Sequence, residues 1–278
     1  MHIKSDGVTL CAQSYGDPEH PALLLLMGAG CSMLWWEEPF CTALADAGFF
    51  VIRYDHRDTG LSSNDPVGEP GYTFEDLADD AIRVLDAHRL TEAIFMGMSM
   101  GGMLAQMAAV RHPERVCGLV LLSSMYFGEG AEHLPGSSPA VNAFFEEPLP
   151  DLDAAPQVWV QRFVRQWRIC AQGKRPFDEL RYTALASADV KRAACFPCST
   201  NHAHVQGSFA DLAGVPAIRV PTLVIHGTED VVIPFAHGQM LARAMADACL
   251  LTLEGAGHEL HPADYPVILQ AISERFRR

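Results

Sequence analysis

The stretch Ile94-Phe-Met-Gly97-Met-Ser99-Met-Gly101-Gly102 constrains the fold of this chain more than any other. An apolar run of strand length breaks at glycines and continues as the helix-forming run Met103 to Val110. A serine between strand and helix, with glycine two positions before and two after, fits the strained turn called a nucleophile elbow. In that turn the serine backbone is bent so that its hydroxyl stands above the sheet, and the flanking segments come so close that only small side chains fit. Gly97 and Gly101 meet that demand. The pattern therefore predicts an exposed nucleophile at Ser99 and an oxyanion donor in the Met100 amide, which shares the positive end of the helix dipole. The plainer reading, a glycine-rich turn holding an incidental serine, leaves the motifs below unexplained.

The rest of the chain supplies a setting for such a turn. His2 to Tyr15, with Asp6-Gly7 at its middle, reads as a β-hairpin. Apolar runs follow at Leu23 to Met27, Phe49 to Tyr54, Ala93 to Met98 and Val116 to Leu122, separated by stretches of helical length. That alternation predicts a parallel sheet with helices on both faces, an α/β architecture. Phe74 to His88 carries apolar residues at helical spacing with acids opposite. From Met125 to Val215 the alternation stops. The segment is first rich in Pro and Gly, then amphipathic, with Val160, Phe163, Val164 and Trp167 on one face, and reads as an inserted helical cap over residues 125–215. Residues 1–124 and 216–278 then form the core domain, with strands at Pro221 to His226 and Cys249 to Leu253 and a closing helix at Pro266 to Phe276.

A serine hydroxyl needs a base, and the base needs an orienting acid. Twelve histidines are available. His258 lies in Gly255-Ala-Gly-His258 directly after the last strand, where a loop can bring the imidazole over the sheet edge. His261 is the nearby decoy, and His2, His20, His112 and His133 fall in surface turns. Asp230, in Gly227-Thr-Glu-Asp230, follows a strand at the carboxyl end of the sheet, where open α/β folds assemble their sites. Glu229 is its rival, and a merely structural role as cap of the helix near Phe235 is the alternative for Asp230. The second oxyanion donor is expected in the loop Met27-Gly28-Ala29-Gly30, at the amide of Ala29. Trp167, on the inner face of the cap, either touches substrate or anchors the cap to the sheet.

Together with the elbow, Met27-Gly28 and Gly257-His258, the run Arg53-Tyr-Asp55-His-Arg57-Asp58-Thr-Gly60 resembles the aclacinomycin methylesterase branch of the α/β hydrolases. The likeness extends over most of the chain. Within the cap it rests on Trp167-Arg168-Ile169 and Pro176-Phe177-Asp178. It implies the α/β-hydrolase fold, with a mostly parallel central sheet, and hydrolysis of a small or medium carboxylic ester through an acyl-enzyme on Ser99. No cofactor and no metal are implied. The order Ser99, Asp230, His258 is that of the fold. Relatives that carry the acid one strand earlier have a carboxylate where this chain reads Ser123-Ser124-Met125. Many members also have a His-Gly pair where this chain has Met27-Gly28, so the hydrogen bonds supporting that loop must differ. Asp55, Arg57 and Asp58 are read as a structural ion-pair network.

Composition narrows the partners. A net charge of -14 repels phosphate backbones and anionic lipid, which argues against nucleic acid and membrane surfaces. Ala22 to Met27 falls far short of the roughly 20 apolar residues of a membrane span, and Met1 to Gln13 lacks the pattern of a signal peptide, so a cytoplasmic protein is expected. The eight cysteines are expected as free thiols. Cys195-Phe-Pro-Cys198 with His202 and His204 has some likeness to a zinc site, but the two histidines are too close in sequence to share a helix face. Haloalkane dehalogenases and epoxide hydrolases carry aspartate at the elbow, against Ser99. Carbon–carbon hydrolases and cofactor-free haloperoxidases share the triad and stay open, as does a small-ligand receptor on the same scaffold.

Overall fold

Asp6 and Gly7 both take positive φ, 50° and 80°, the backbone twist that closes a two-residue hairpin. They join β1 (His2–Ser5) to β2 (Val8–Tyr15), the antiparallel start of an eight-stranded sheet. The computed structural model describes residues 1–208 and 210–277. The remaining strands are β3 (Ala22–Leu26), β4 (Phe50–Tyr54), β5 (Ala93–Met98), β6 (Val116–Leu122), β7 (Thr222–Gly227) and β8 (Ala248–Leu253). Their order across the sheet is β1-β2-β4-β3-β5-β6-β7-β8. β2 runs antiparallel to β4, and every pair from β4 to β8 is parallel.

A strand covered on both faces can be apolar at every position, and β3 shows why. Leu24 and Leu26 pack into the core on one side of the sheet, Leu23 and Leu25 into the core on the other. The first side is covered by α2 (Phe74–Ala87), α3 (Met100–Arg111) and α7 (Phe235–Ala244). α2 begins at a capping box, in which Thr73 and Asp76 satisfy each other's backbone amides. The opposite side is covered by α1 (Glu38–Asp46) and α8 (Tyr265–Phe276).

Between β6 and β7 the chain forms α4 (Pro139–Phe145), α5 (Pro156–Cys170), α6 (Glu179–Arg192) and two short 3-10 segments, Phe196–Ala203 and Ala210–Ala217. The apolar stripe of α5 faces inward. Trp167 stacks on Trp35, which follows β3, with ring centroids 4.5 Å apart, and Phe163 meets Trp35 edge-on at 5.1 Å. In the loop run Asp55–Asp58, Asp55 pairs with Arg192 and Arg57 with Asp80, as the sequence suggests, whereas Asp58 is met by neutral donors, Tyr72 Oη at 2.6 Å and Asn201 Nδ2 at 2.9 Å, and by no ion pair among the described residues. No helix among the described residues is long and apolar enough to cross a membrane.

One expectation is corrected. Cys195 and Cys198 form a disulfide, with Cα atoms 5.5 Å apart, while the other six cysteines are free. Chain size argues against disulfides as global staples, but says nothing about a pair three residues apart that one tight turn brings together.

The elbow joins β5 to α3. Ser99 sits at φ 54° and ψ −121°, a positive-φ conformation that a serine adopts only under constraint. The constraint is close packing. A Cβ on Gly97 would collide with the backbone of Gly101, and one on Gly101 with the carbonyls of Leu26 and Met27. We therefore expect Gly101→Ala to destabilise the fold by about 3 kcal/mol, because backbone cannot move aside as a flexible side chain does. The check is the urea midpoint at unchanged m-value, and a midpoint equal to that of the parent would contradict the packing.

Candidate active site

Ser99 is half-buried at the end of β5, fixed by its own amide, which donates to Leu122 O at 3.0 Å, and by Ser124 Oγ, which donates to Ser99 O at 3.1 Å. Both neighbours stand at the end of β6, so the parallel β5–β6 pairing sets the turn. The loop after β3 lies beside the serine. A Cβ on Gly28 would stand 3.3 Å from Ser99 Cβ and 3.9 Å from its Oγ. The amide of Met100 opens α3, where the first turn of a helix has no intrahelical acceptor. No protein acceptor meets the Met100 or Ala29 amide among the described residues.

The Met27–Gly30 loop draws its support from two histidines that the sequence reading did not single out for it. His56 Nε2 donates to Met27 O at 3.1 Å, and Gly30 N donates to His202 Nδ1 at 2.9 Å. Burial lowers His56 from 6.5 to about 3, with His202 as a second cause and its bond to Met27 opposing. Burial also lowers His202. Both rings are therefore neutral near pH 7. His56 lies inside the Tyr54–Gly60 run, a local signal that could have flagged it. His202 reaches the loop from 172 residues away, and no spacing rule could pair them.

His258 follows β8 on a glycine-flanked loop whose amide bonds to the end of α5, His258 N to Cys170 O at 3.0 Å. Its Nδ1–H donates to Asp230 Oδ2 at 2.8 Å, and both residues are buried. The other Asp230 oxygen accepts the amides of Val232 and Ile233 at 2.9 and 2.8 Å. Asp230 caps this turn and not α7, whose N-cap is Pro234 with no side-chain bond. Burial alone would raise the Asp230 carboxyl. The facing rings of His258 and His226 outweigh that and hold it well below the usual carboxylate range. Glu229 instead faces Lys174 at 3.1 Å on the surface, and His261 turns its Nδ1 to the amide of Ala263.

Ser99, His258, Gly28 and Trp167 line one cavity of about 140 Å³. The Ser99 hydroxyl makes no hydrogen bond to His258 among the described residues, a contact that often tightens only with substrate bound. Ala29, Phe145 and Gln166 are shared with an outer chamber of about 290 Å³, walled by Trp159, Phe163, Phe196 and His202. Trp167 thus lines the inner chamber and also anchors α5 through Trp35. Two thiols reach the inner chamber, Cys31 and Cys170. Burial pushes Cys170 up to about 12, aided by Asp230, and Cys31 well above its usual value. Neither supplies a thiolate at neutral pH. The Cys195–Cys198 pair has both sulfurs in the disulfide, and His202 spends both ring nitrogens on backbone, the second on Arg57 O at 2.8 Å.

Comparison with known proteins agrees with this architecture. The chain is 32% identical to rhodomycin D methylesterase DauP of Streptomyces sp. (strain C5), across 99% of this chain and 97% of that protein. It is 31% identical to rhodomycin D methylesterase DnrP of Streptomyces peucetius over the same shares. Among solved structures, one described as Est816, an N-acyl homoserine lactone degrading enzyme, gives a TM-score of 0.72 at 27% identity, covering 98% of this chain and 99% of that one. The enol-lactonase from Burkholderia xenovorans LB400, at 22% identity and a TM-score of 0.76 over the whole of both chains, shares the fold. A family model described as serine aminopeptidase S33 matches residues 17–264, and the chain belongs to that family of α/β hydrolases.

Proposed function

We propose that this hydrolase is a serine carboxylesterase acting on small or medium carboxylic esters. Ser99 Oγ attacks the ester carbonyl while His258 Nε2 takes its proton, and Asp230 holds the imidazole with the other proton on Nδ1. The amides of Ala29 and Met100 receive the oxyanion. Collapse of the tetrahedral adduct expels the alcohol, protonated by His258, and leaves an acyl group on Ser99. Water, activated by the same imidazole, then releases the acid. The observation that carries this reading is the 2.8 Å His258–Asp230 bond beside a cavity that also holds a positive-φ serine. The names of the relatives support an ester or its cyclic form, a lactone, since two are methylesterases and one degrades lactones. The aromatic walls of the outer chamber suit a bulky apolar part of the substrate, and the inner chamber a smaller one. Six free cysteines suit the reducing cytoplasm in which we place the chain, and the Cys195–Cys198 pair is the feature that stands against it.

A fluorophosphonate should label Ser99 alone, and Ser99→Ala should abolish both labelling and ester turnover while the fold remains. Label on another serine would refute the assignment. Asp230→Asn should lower kcat by about a thousandfold or more, because the amide no longer fixes the productive tautomer. The pH profile carries a sign. Asp230 stays ionised far into acid, so a loss of rate on the acid side would not come from this carboxylate. A rate flat down to pH 5 would exclude a histidine base. A purified enzyme that ignores a panel of short and medium esters, yet cleaves a vinylogous diketone, would replace ester by carbon–carbon hydrolysis with the same triad.

A further inference from the structure

We propose that His202 is a positioning residue for the oxyanion donor, its ring fixing the Ala29–Gly30 peptide so that the Ala29 amide faces Ser99. The proposal rests on the reading of Ser99 as nucleophile and Ala29 as donor. Three successive peptides define the loop. The first is held through its oxygen, Met27 O, by His56 at 3.1 Å. The second, whose N–H is the proposed donor, is held through Gly28 O by the amide of Cys31 at 3.3 Å. In a trans peptide the N–H points opposite to the C=O, so turning Gly28 O toward Cys31 turns the Ala29 N–H the other way. The third is held through Gly30 N by His202 Nδ1 at 2.9 Å.

His202 can do this because its ring has no freedom left. Its Nε2–H donates to Arg57 O at 2.8 Å, which places the proton on Nε2 and leaves Nδ1 as an acceptor for Gly30. The residue is 5% exposed. Its neighbour Asn201 donates to Asp58 Oδ2 at 2.9 Å and to Pro66 O at 3.1 Å, and accepts from Gly68 N at 2.6 Å, so the Phe196–Ala203 turn is pinned to the loop that follows β4. Gly30 sits at φ 72°, where few residues but glycine settle. Without the imidazole its N–H would be orphaned in a part-buried place, and the flexible peptide would rotate to find another partner. The same turn supplies Phe196, Thr200 and His202 to the outer chamber. One short segment therefore shapes the substrate wall and steadies the donor.

The test compares a short acetate ester, too small to reach the outer chamber, with a long aryl ester that fills it. For His202→Ala we expect kcat to fall about tenfold or more on both esters, with KM for the acetate within about twofold of the parent. His202→Gln offers one acceptor and one donor and should restore kcat to within about threefold of the parent. Should His202→Ala not fold, His202→Phe keeps the ring volume without either hydrogen bond, and carries the same expected losses. Unchanged kcat in the alanine or phenylalanine variant, a loss confined to the long ester, or a glutamine variant no better than alanine would each overturn the brace. Turnover that survives in Ser99→Ala overturns the underlying reading and the brace with it. Turnover lost there but kept in His202→Ala overturns the brace alone.

Discussion

The site depends on how closely the first turn of α3 approaches the end of β3. Gly101 lies against the carbonyls of Leu26 and Met27 with no room for a side chain, and Gly97 lies against Gly101 in the same way. This contact brings the loop after β3, which carries Ala29, against Ser99 and the first turn of α3. It also makes the strained serine conformation affordable. A positive φ at a non-glycine residue costs on the order of 1–3 kcal/mol. The surrounding structure over-determines it, through the parallel pairing of β5 with β3 and β6 and the hydrogen bonds of Ser99 to Leu122 and Ser124. The backbone bends because every less strained path would break several of these at once.

A carboxylate as buried as Asp230 needs its own solution, since burial opposes ionisation and an unpaired charge inside protein is costly. Four groups meet the carboxylate. Two amides of its own turn occupy one oxygen, His258 binds the other, and His226 Nε2, which donates to Ile233 O at 2.7 Å, lies 3.4 Å from that same oxygen. The local turn thus makes the charge tolerable without consuming the oxygen that the imidazole needs. The division explains why a short loop of Gly227-Thr-Glu-Asp230 suffices, and why Glu229, one residue earlier and turned to solvent, cannot substitute.

What could be read from the sequence follows from the range of each interaction. Ala93–Met98 and Val116–Leu122 have the strand limits expected from their apolar runs, since period and flanking turns are local properties. The places of Ser99, Asp230 and His258, each beyond the carboxyl end of a recognisable strand, could be read in advance, because those strands are local features. Trp167 was legible as an inward-facing residue, but its two contacts, with Trp35 and with the inner chamber, depend on how α5 lies over the sheet. The histidine support of the Met27–Gly30 loop could be anticipated only as a need, from the missing His-Gly pair. Its suppliers, His56 and His202, come from distant loops whose approach is set by the assembled sheet. The disulfide escaped for a different reason. Chain size bears on disulfides as global staples, whereas the Cys195–Cys198 pair depends on one local turn.

The chemistry of the brace explains why histidine serves at 202. The position faces one donor, Gly30 N–H, and one acceptor, Arg57 O. A neutral imidazole presents one acceptor and one donor on a rigid ring, so both backbone groups are satisfied with little entropy lost on freezing the side chain. A carboxylate would leave the carbonyl of Arg57 facing a second acceptor, and an ammonium would leave the amide of Gly30 facing a second donor. Either mismatch would strand a part-buried backbone group, at a cost of about 1–3 kcal/mol. The ring must also stay neutral, because its protonated form has two donors and no acceptor. Burial favours the neutral form at both His202 and His56, and their rings stand 6.1 Å apart, close enough that charging one would oppose charging the other. Two rings that disfavour each other's protonation keep the loop's hydrogen-bond pattern in the single sense that leaves the Ala29 amide free.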